Sequence, residues 1–138
     1  MSDARRCAAG MLLALLALSG CMPRPSPMAP RPVVDGAFSV RGTEPFWAVD
    51  IRPQGITYQR LDQERLAAPN PGMTQEGGKR VWSAIAGGRT LKVTLSETGA
   101  CSDGMSDLVY PYAAEVIIGS ETLRGCAFEP SEKPSGAR

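Results

Sequence analysis

Three short stretches hold most of the side chains in this sequence that could do chemistry. Gly42-Thr43-Glu44-Pro45-Phe46-Trp47 sets a carboxylate beside two aromatics at a turn. Cys101-Ser102-Asp103-Gly104-Met105-Ser106-Asp107 gathers carboxylates, hydroxyls and a thiol, and Tyr110-Pro111-Tyr112 places two phenols about a rigid kink. A carboxylate held against apolar rings has its pKa raised and can serve as a general acid. Glu44 has no catalytic partner nearby in sequence, so stabilisation of the turn is the competing role. Asp103, Ser106 and Asp107 offer oxygens to a hard cation such as Ca²⁺, but the spacing is not that of an EF-hand and the distal glutamate is missing. Aspartate and serine next to glycine ordinarily bond their own backbone. The chain has no histidine, which removes a Ser-His-Asp triad, a Cys-His pair and imidazole metal ligation, and neither Ser102 nor Ser106 begins a Ser-x-x-Lys arrangement. The expectation is therefore no enzyme, no cofactor and no metal.

Elements must place these residues, and the pattern is β. Leu91, Val93 and Leu95 alternate with Thr90, Lys92, Thr94 and Ser96, a strand with one dry and one wet face. Arg80–Ile85 precedes it, and Gly87-Gly88 between them signals a tight hairpin. Further strands are expected at Ala37–Arg41, Phe46–Ile51, Ile56–Arg60, Ala113–Ile118 and Thr122–Cys126. Asp62–Ala68 reads as a short helix, a turn or an extended strand, and residues 69–79 as a mobile loop. The fold class is all-β, a small antiparallel barrel or sandwich of about seven strands over residues 35–130. Strand neighbours face opposite sides, so Phe46 and Trp47 cannot both point into the core. The candidate contact surface combines Glu44, Phe46, Trp47, Asp103, Asp107, Tyr110 and Tyr112. Two bland roles compete with it: Trp47 closing one end of the barrel, and Tyr110-Pro111-Tyr112 as a strand edge.

The N-terminus reads as an address. Arg5 and Arg6 precede the apolar run 11–18, too short for a permanent span, and the run ends in Leu18-Ser19-Gly20-Cys21. This ending resembles the lipobox of bacterial lipoproteins, which implies a signal peptide over 1–20 and acylation of Cys21. Met22 replaces the acidic residue that would favour inner-membrane retention, so an outer-membrane anchor facing the periplasm is expected. Residues 21–34 carry five prolines, a tether that reaches about 40 Å at ~3.1 Å per residue. Residues 131–138 read as a disordered tail. With Cys7 in the signal and Cys21 assigned to lipid, Cys101 and Cys126 remain to pair in an oxidising compartment, a bond that contributes roughly 3.5 kcal/mol by loop closure. A reactive or metal-binding pair is the rival, though the sequence has neither CxxC nor histidine to support it.

The blocks GTEPFW at 42–47, CSDGMSD at 101–107, YPY at 110–112 and GCA at 125–127 resemble, in that order, the small bacterial envelope lipoproteins whose domain occurs alone or fused to META/HslJ-like or lysozyme-inhibitor-like domains. The resemblance implies a compact β-barrel-like domain, exported, lipid-anchored and with its two cysteines paired; it brings no activity with it. The expected function is a non-enzymatic binding or structural module of the envelope, monomeric, with an envelope protein, glycan or lysozyme as partner. The alternative is an inhibitor of c-type lysozyme. Residues 35–129 hold 12 acidic and 9 basic side chains, a net charge of −3 that would favour a basic partner. The bases are scattered, so nucleic acid is not an expected partner.

Overall fold

The computed structural model describes residues 36–132 and 134–136. The signal segment 1–20, Cys21 and the tether 21–34 lie outside the described residues. Ten strands form: β1 (Phe38–Thr43), β2 (Phe46–Arg52), β3 (Gly55–Arg60), β4 (Leu66–Ala68), β5 (Thr74–Glu76), β6 (Lys79–Ala86), β7 (Arg89–Ser102), β8 (Leu108–Ile118), β9 (Glu121–Phe128) and β10 (Ser135–Gly136). Nine of them make one antiparallel sheet in the order β4-β3-β2-β1-β9-β8-β7-β6-β5. The pairing of β1 with β9 joins two meanders, and the right-handed twist of the strands curls the sheet into a half-barrel until edge β4 packs on β6. Leu66 lies against the β6–β7 turn; a Cβ on Gly87 would come within 2.7 Å of its side chain.

The all-β antiparallel class holds, as does the single disulfide, but the strand number exceeds seven. The additions are two- and three-residue strands, too short for alternation to be visible. Residues 62–68 form no helix: a turn leads into β4, which extends the sheet beside β3. The expected loop 69–79 contains β5, folded onto β6 by Gly77 and Gly78, both at positive φ as a two-residue hairpin turn requires. Gly87 and Gly88 repeat this geometry between β6 and β7. In the tail, Ser135 and Gly136 pair with Val109 and Leu108, on a stretch of β8 that β9 does not reach.

The concave face is filled. Val40, Val49, Ile51, Tyr58, Leu91, Val93 and Val116 form its fully buried centre. At one end Phe38 packs on Trp82 and edge-on against Tyr112, and the Arg80 guanidinium lies 5.4 and 5.3 Å from the Phe38 and Tyr112 ring centres. Glu129 accepts a hydrogen bond from Tyr112 Oη at 3.2 Å and faces Arg80 at 3.6 Å. Elsewhere in the interior the Trp47 indole lies over Gly42, its cross-strand partner, where a Cβ would overlap the ring. Gly125 lets β9 approach the Arg41 carbonyl just as closely.

The longest hairpin, β7–β8, does not stay in the sheet plane. Register shifts by two residues between Glu97 and Cys101, opposite Pro111, which has no N–H to donate. Past this bulge Cys101 of β7 bonds Cys126 of β9 with Cα atoms 5.8 Å apart, although β8 separates those strands elsewhere. Strands two places apart in a flat sheet are roughly 9.5 Å apart. The hairpin end therefore folds over the convex face of β9 and β1: Thr43 Oγ1 donates to the Asp103 carbonyl at 3.0 Å, and the Tyr110 ring lies 6.0 Å from Phe128.

The two neighbouring aromatics separate in a way that stability can report. Trp47→Ala should cost about 3–5 kcal/mol because it empties a packed site, whereas Phe46→Ala should stay within about 1 kcal/mol of wild type. Paired denaturant melts check both.

Candidate functional site

The β1–β2 turn and the folded-over tip of the β7–β8 hairpin bring two of the three motifs together. The link between them is the Thr43–Asp103 hydrogen bond, which spans 60 positions of sequence. The peptide between Glu44 and Pro45 is cis, and the turn returns the chain directly into Phe46, paired with Thr43. Phe46 points to the convex face, 52% exposed, while Trp47 turns inward at 4%. Strand alternation thus divides the pair: Trp47 is a core residue that reaches the groove only as part of its lining, and Phe46 is the exposed one.

Tyr110 and Tyr112 leave the candidate contact surface. Two residues apart on β8 they share one parity, and both are buried. Tyr112 belongs to the aromatic end of the interior; burial raises its pKa, and the neighbouring Glu129 raises it while Arg80 opposes. Tyr110 lies beneath the hairpin tip, where burial first and the Asp103 carboxylate second raise its pKa. Pro111 is no strand edge: it stands inside β8, across from the bulge.

Asp103 organises the 101–107 loop. Its Oδ1 accepts the amides of Met105 at 3.0 Å and Ser106 at 2.8 Å, and its Oδ2 accepts the Ser106 hydroxyl at 2.7 Å and Tyr110 Oη at 3.0 Å. These donors favour the anion, so the Asp103 pKa falls to about 2, led by the Met105 amide and then the Ser106 hydroxyl. Its oxygens are met by the loop and by Tyr110, whereas Asp107 is exposed and makes no hydrogen bond or ion pair among the described residues. Among the described residues no group of three or more Cys, Asp or Glu side chains is placed to hold a metal. Glu44 is exposed and makes no hydrogen bond or ion pair among the described residues.

Around Phe46 lies a groove of ≈ 450 Å³ along β1, β2 and β3, lined by Arg41, Thr43, Ala48, Gln59 and Leu61 and also by the inward-parity residues Gly42, Trp47 and Arg60. Register puts Ala48 opposite both Arg41 and Gln59, and Phe46 opposite Thr43. A second depression, ≈ 570 Å³, shares Thr43, Phe46, Arg60 and Leu61 and adds Glu44, Pro45, Asp62 and Gln63. Leu61 is 69% exposed. It was absent from the sequence-derived surface, yet its parity, opposite to Ile56 and Tyr58 and equal to Thr57 and Gln59, is the signal that places it outside. The cations around the groove are engaged. Arg41 lies 3.0 Å from Asp50, and Arg60 Nη1 donates to both Glu121 oxygens at 2.8 and 2.9 Å.

The fold and site together define an all-β half-barrel domain with one disulfide and an exposed apolar groove at the β1–β2 turn. Comparison with protein-family models, with curated proteins and with solved structures finds no match.

The Asp103 pKa sets a pH window for the loop. A folded-state pKa of about 2, below the ordinary 3.8, means the anion's contribution is complete above the ordinary value and lost as pH falls through about 2. Amide exchange at Met105 and Ser106 should therefore stay slow from neutral pH to about pH 4, after correction for intrinsic rates, and rise as pH approaches about 2. In Asp103→Asn the protection should be weak at every pH.

Proposed function

We propose that this chain is a lipid-anchored protein of the bacterial envelope, held through Cys21 at the periplasmic side of the outer membrane, whose half-barrel binds a partner without catalysis. The observation that carries the reading is the outward placement of Phe46 and Leu61 on one groove, large apolar side chains left in water at adjacent turns. Single exposed apolar residues are common, but two at the rim of one concavity are the composition of a contact site. The chemistry around them supports binding over turnover. The sequence supplies no histidine, Glu44 makes no hydrogen bond or ion pair to a second acid or base among the described residues, and the Asp103 carboxylate is held as a low-pKa anion by its own loop and Tyr110. The lipobox-like ending at Cys21 and the proline-rich stretch after it support display of the domain away from a lipid surface. The loop geometry gives no specific support to lysozyme inhibition, since the first of its two carboxylates is already committed.

The test is affinity capture with the immobilised full chain from envelope extract spiked with lysozyme, using wild type, Phe46→Ser and Ile85→Ser in parallel. Ile85 is 63% exposed on β6 and controls for general stickiness. The reading expects a protein or glycan held by wild type and Ile85→Ser and lost from Phe46→Ser. Identical retention by all three would contradict it.

A further inference from the structure

The depression between the β1–β2 turn and the residues after β3 has a charge pattern that selects among partners. Its lining includes two carboxylates, Glu44 and Asp62, and one cation, Arg60. Arg60 pairs with Trp47 across β2 and β3, so it shares the inward parity and is only 19% exposed, and it gives Nη1 to both oxygens of Glu121. Its charge is met within the domain. Glu44 and Asp62 are exposed, and neither has an ion-pair or hydrogen-bond partner among the described residues. Asp62 is held at φ 65°, a conformation aspartate tolerates better than most residues, in the turn where the Gln63 amide bonds the Arg60 carbonyl. Phe46, Leu61 and Pro45 line the same depression.

Exposed apolar side chains beside carboxylates with no partner among the described residues match one common side-chain chemistry: a long aliphatic stem ending in a cation. We infer that this depression takes a lysine or arginine side chain from an extended, basic polypeptide segment. The stem lies on Phe46 and Leu61, and the cationic head faces Glu44 and Asp62. The phenyl face of Phe46 adds attraction for the same cation. An acidic peptide would meet two uncompensated carboxylates. A neutral glycan would leave both charges without a counterpart. The inference rests on the binding reading above and names the partner of that same surface.

The test uses the ¹⁵N-labelled full chain with two synthetic peptides, an acetylated and amidated Leu-Lys-Leu-Lys and its counterpart with glutamate for lysine, and a peptidoglycan-derived disaccharide. Amide shifts at Glu44, Phe46, Leu61 and Asp62 report binding. The lysine peptide should shift them and the glutamate peptide should not. The lysine peptide should bind about fivefold more weakly to the Glu44→Gln, Asp62→Asn double variant, and more weakly in about 200 mM than in about 20 mM salt. All four positions are exposed, so spectra elsewhere should overlay those of wild type. Equal binding of the two peptides, an unchanged double variant, or no shift with the lysine peptide would overturn the inference. Shifts at Phe46 and Leu61 with the disaccharide alone would overturn it while leaving the binding surface standing.

Discussion

The Cys101–Cys126 bond joins strands that are not neighbours in the sheet, and the geometry of the candidate site follows from it. With β8 lying between them, β7 and β9 can be linked only if the end of the β7–β8 hairpin leaves the sheet plane. The two-residue register shift between Glu97 and Cys101 supplies the bend, and Pro111 occupies the rung whose hydrogen bond the bend would have broken. What the clamp achieves is local: it lays residues 101–107 beside the β1–β2 turn, covers Tyr110, and places the Asp103 carbonyl where Thr43 can donate to it. The loop then holds its own shape through the Asp103 carboxylate.

A second constraint, the strict alternation of a strand, decides what remains outside. Trp47 fills the interior over Gly42 only because that position has no side chain, and Phe46 is thereby committed to water. The same alternation, continued past β3, commits Leu61 to the same side. The exposed apolar pair is thus the outward half of an arrangement whose inward half is core. This is why Trp47, the larger ring, contributes to stability while the smaller Phe46 is the residue available to a partner.

The regular part of this architecture was legible in the sequence, and the bent part was not. Leu91, Val93 and Leu95 declare β7, and Gly87-Gly88 the turn before it, because each signal is local and one face is dry. Cys101 and Cys126 could be paired by elimination. The polar stretch Glu97-Thr98-Gly99-Ala100 erases the alternation, so nothing local shows that β7 resumes beyond it or that β8 begins as early as Leu108. Tyr110 and Tyr112 looked like surface residues for that reason. The burial of Tyr110 depends on a fold-over that accompanies a disulfide between non-adjacent strands, and that of Tyr112 on packing against Phe38 from a distant strand; both are tertiary facts with no signature at residues 110–112. Glu44, Phe46 and Asp107 were legible as exposed polar and aromatic candidates; the groove at Phe46 also needed Leu61, whose parity was visible but which stands just past the end of β3, in the turn after Arg60.

The clamp between β7 and β9 holds the hairpin tip on the β1–β2 turn through Thr43, a residue that lines the groove. Amide hydrogen exchange on wild type and on a Cys101→Ala, Cys126→Ala double variant measures this most directly. Exchange in the double variant should be faster in residues 97–112 and in the turn at 43–46, with β2, β3 and the middle of β7 still protected. Unchanged protection at 43–46, or loss of protection throughout the sheet, would contradict this role of the clamp.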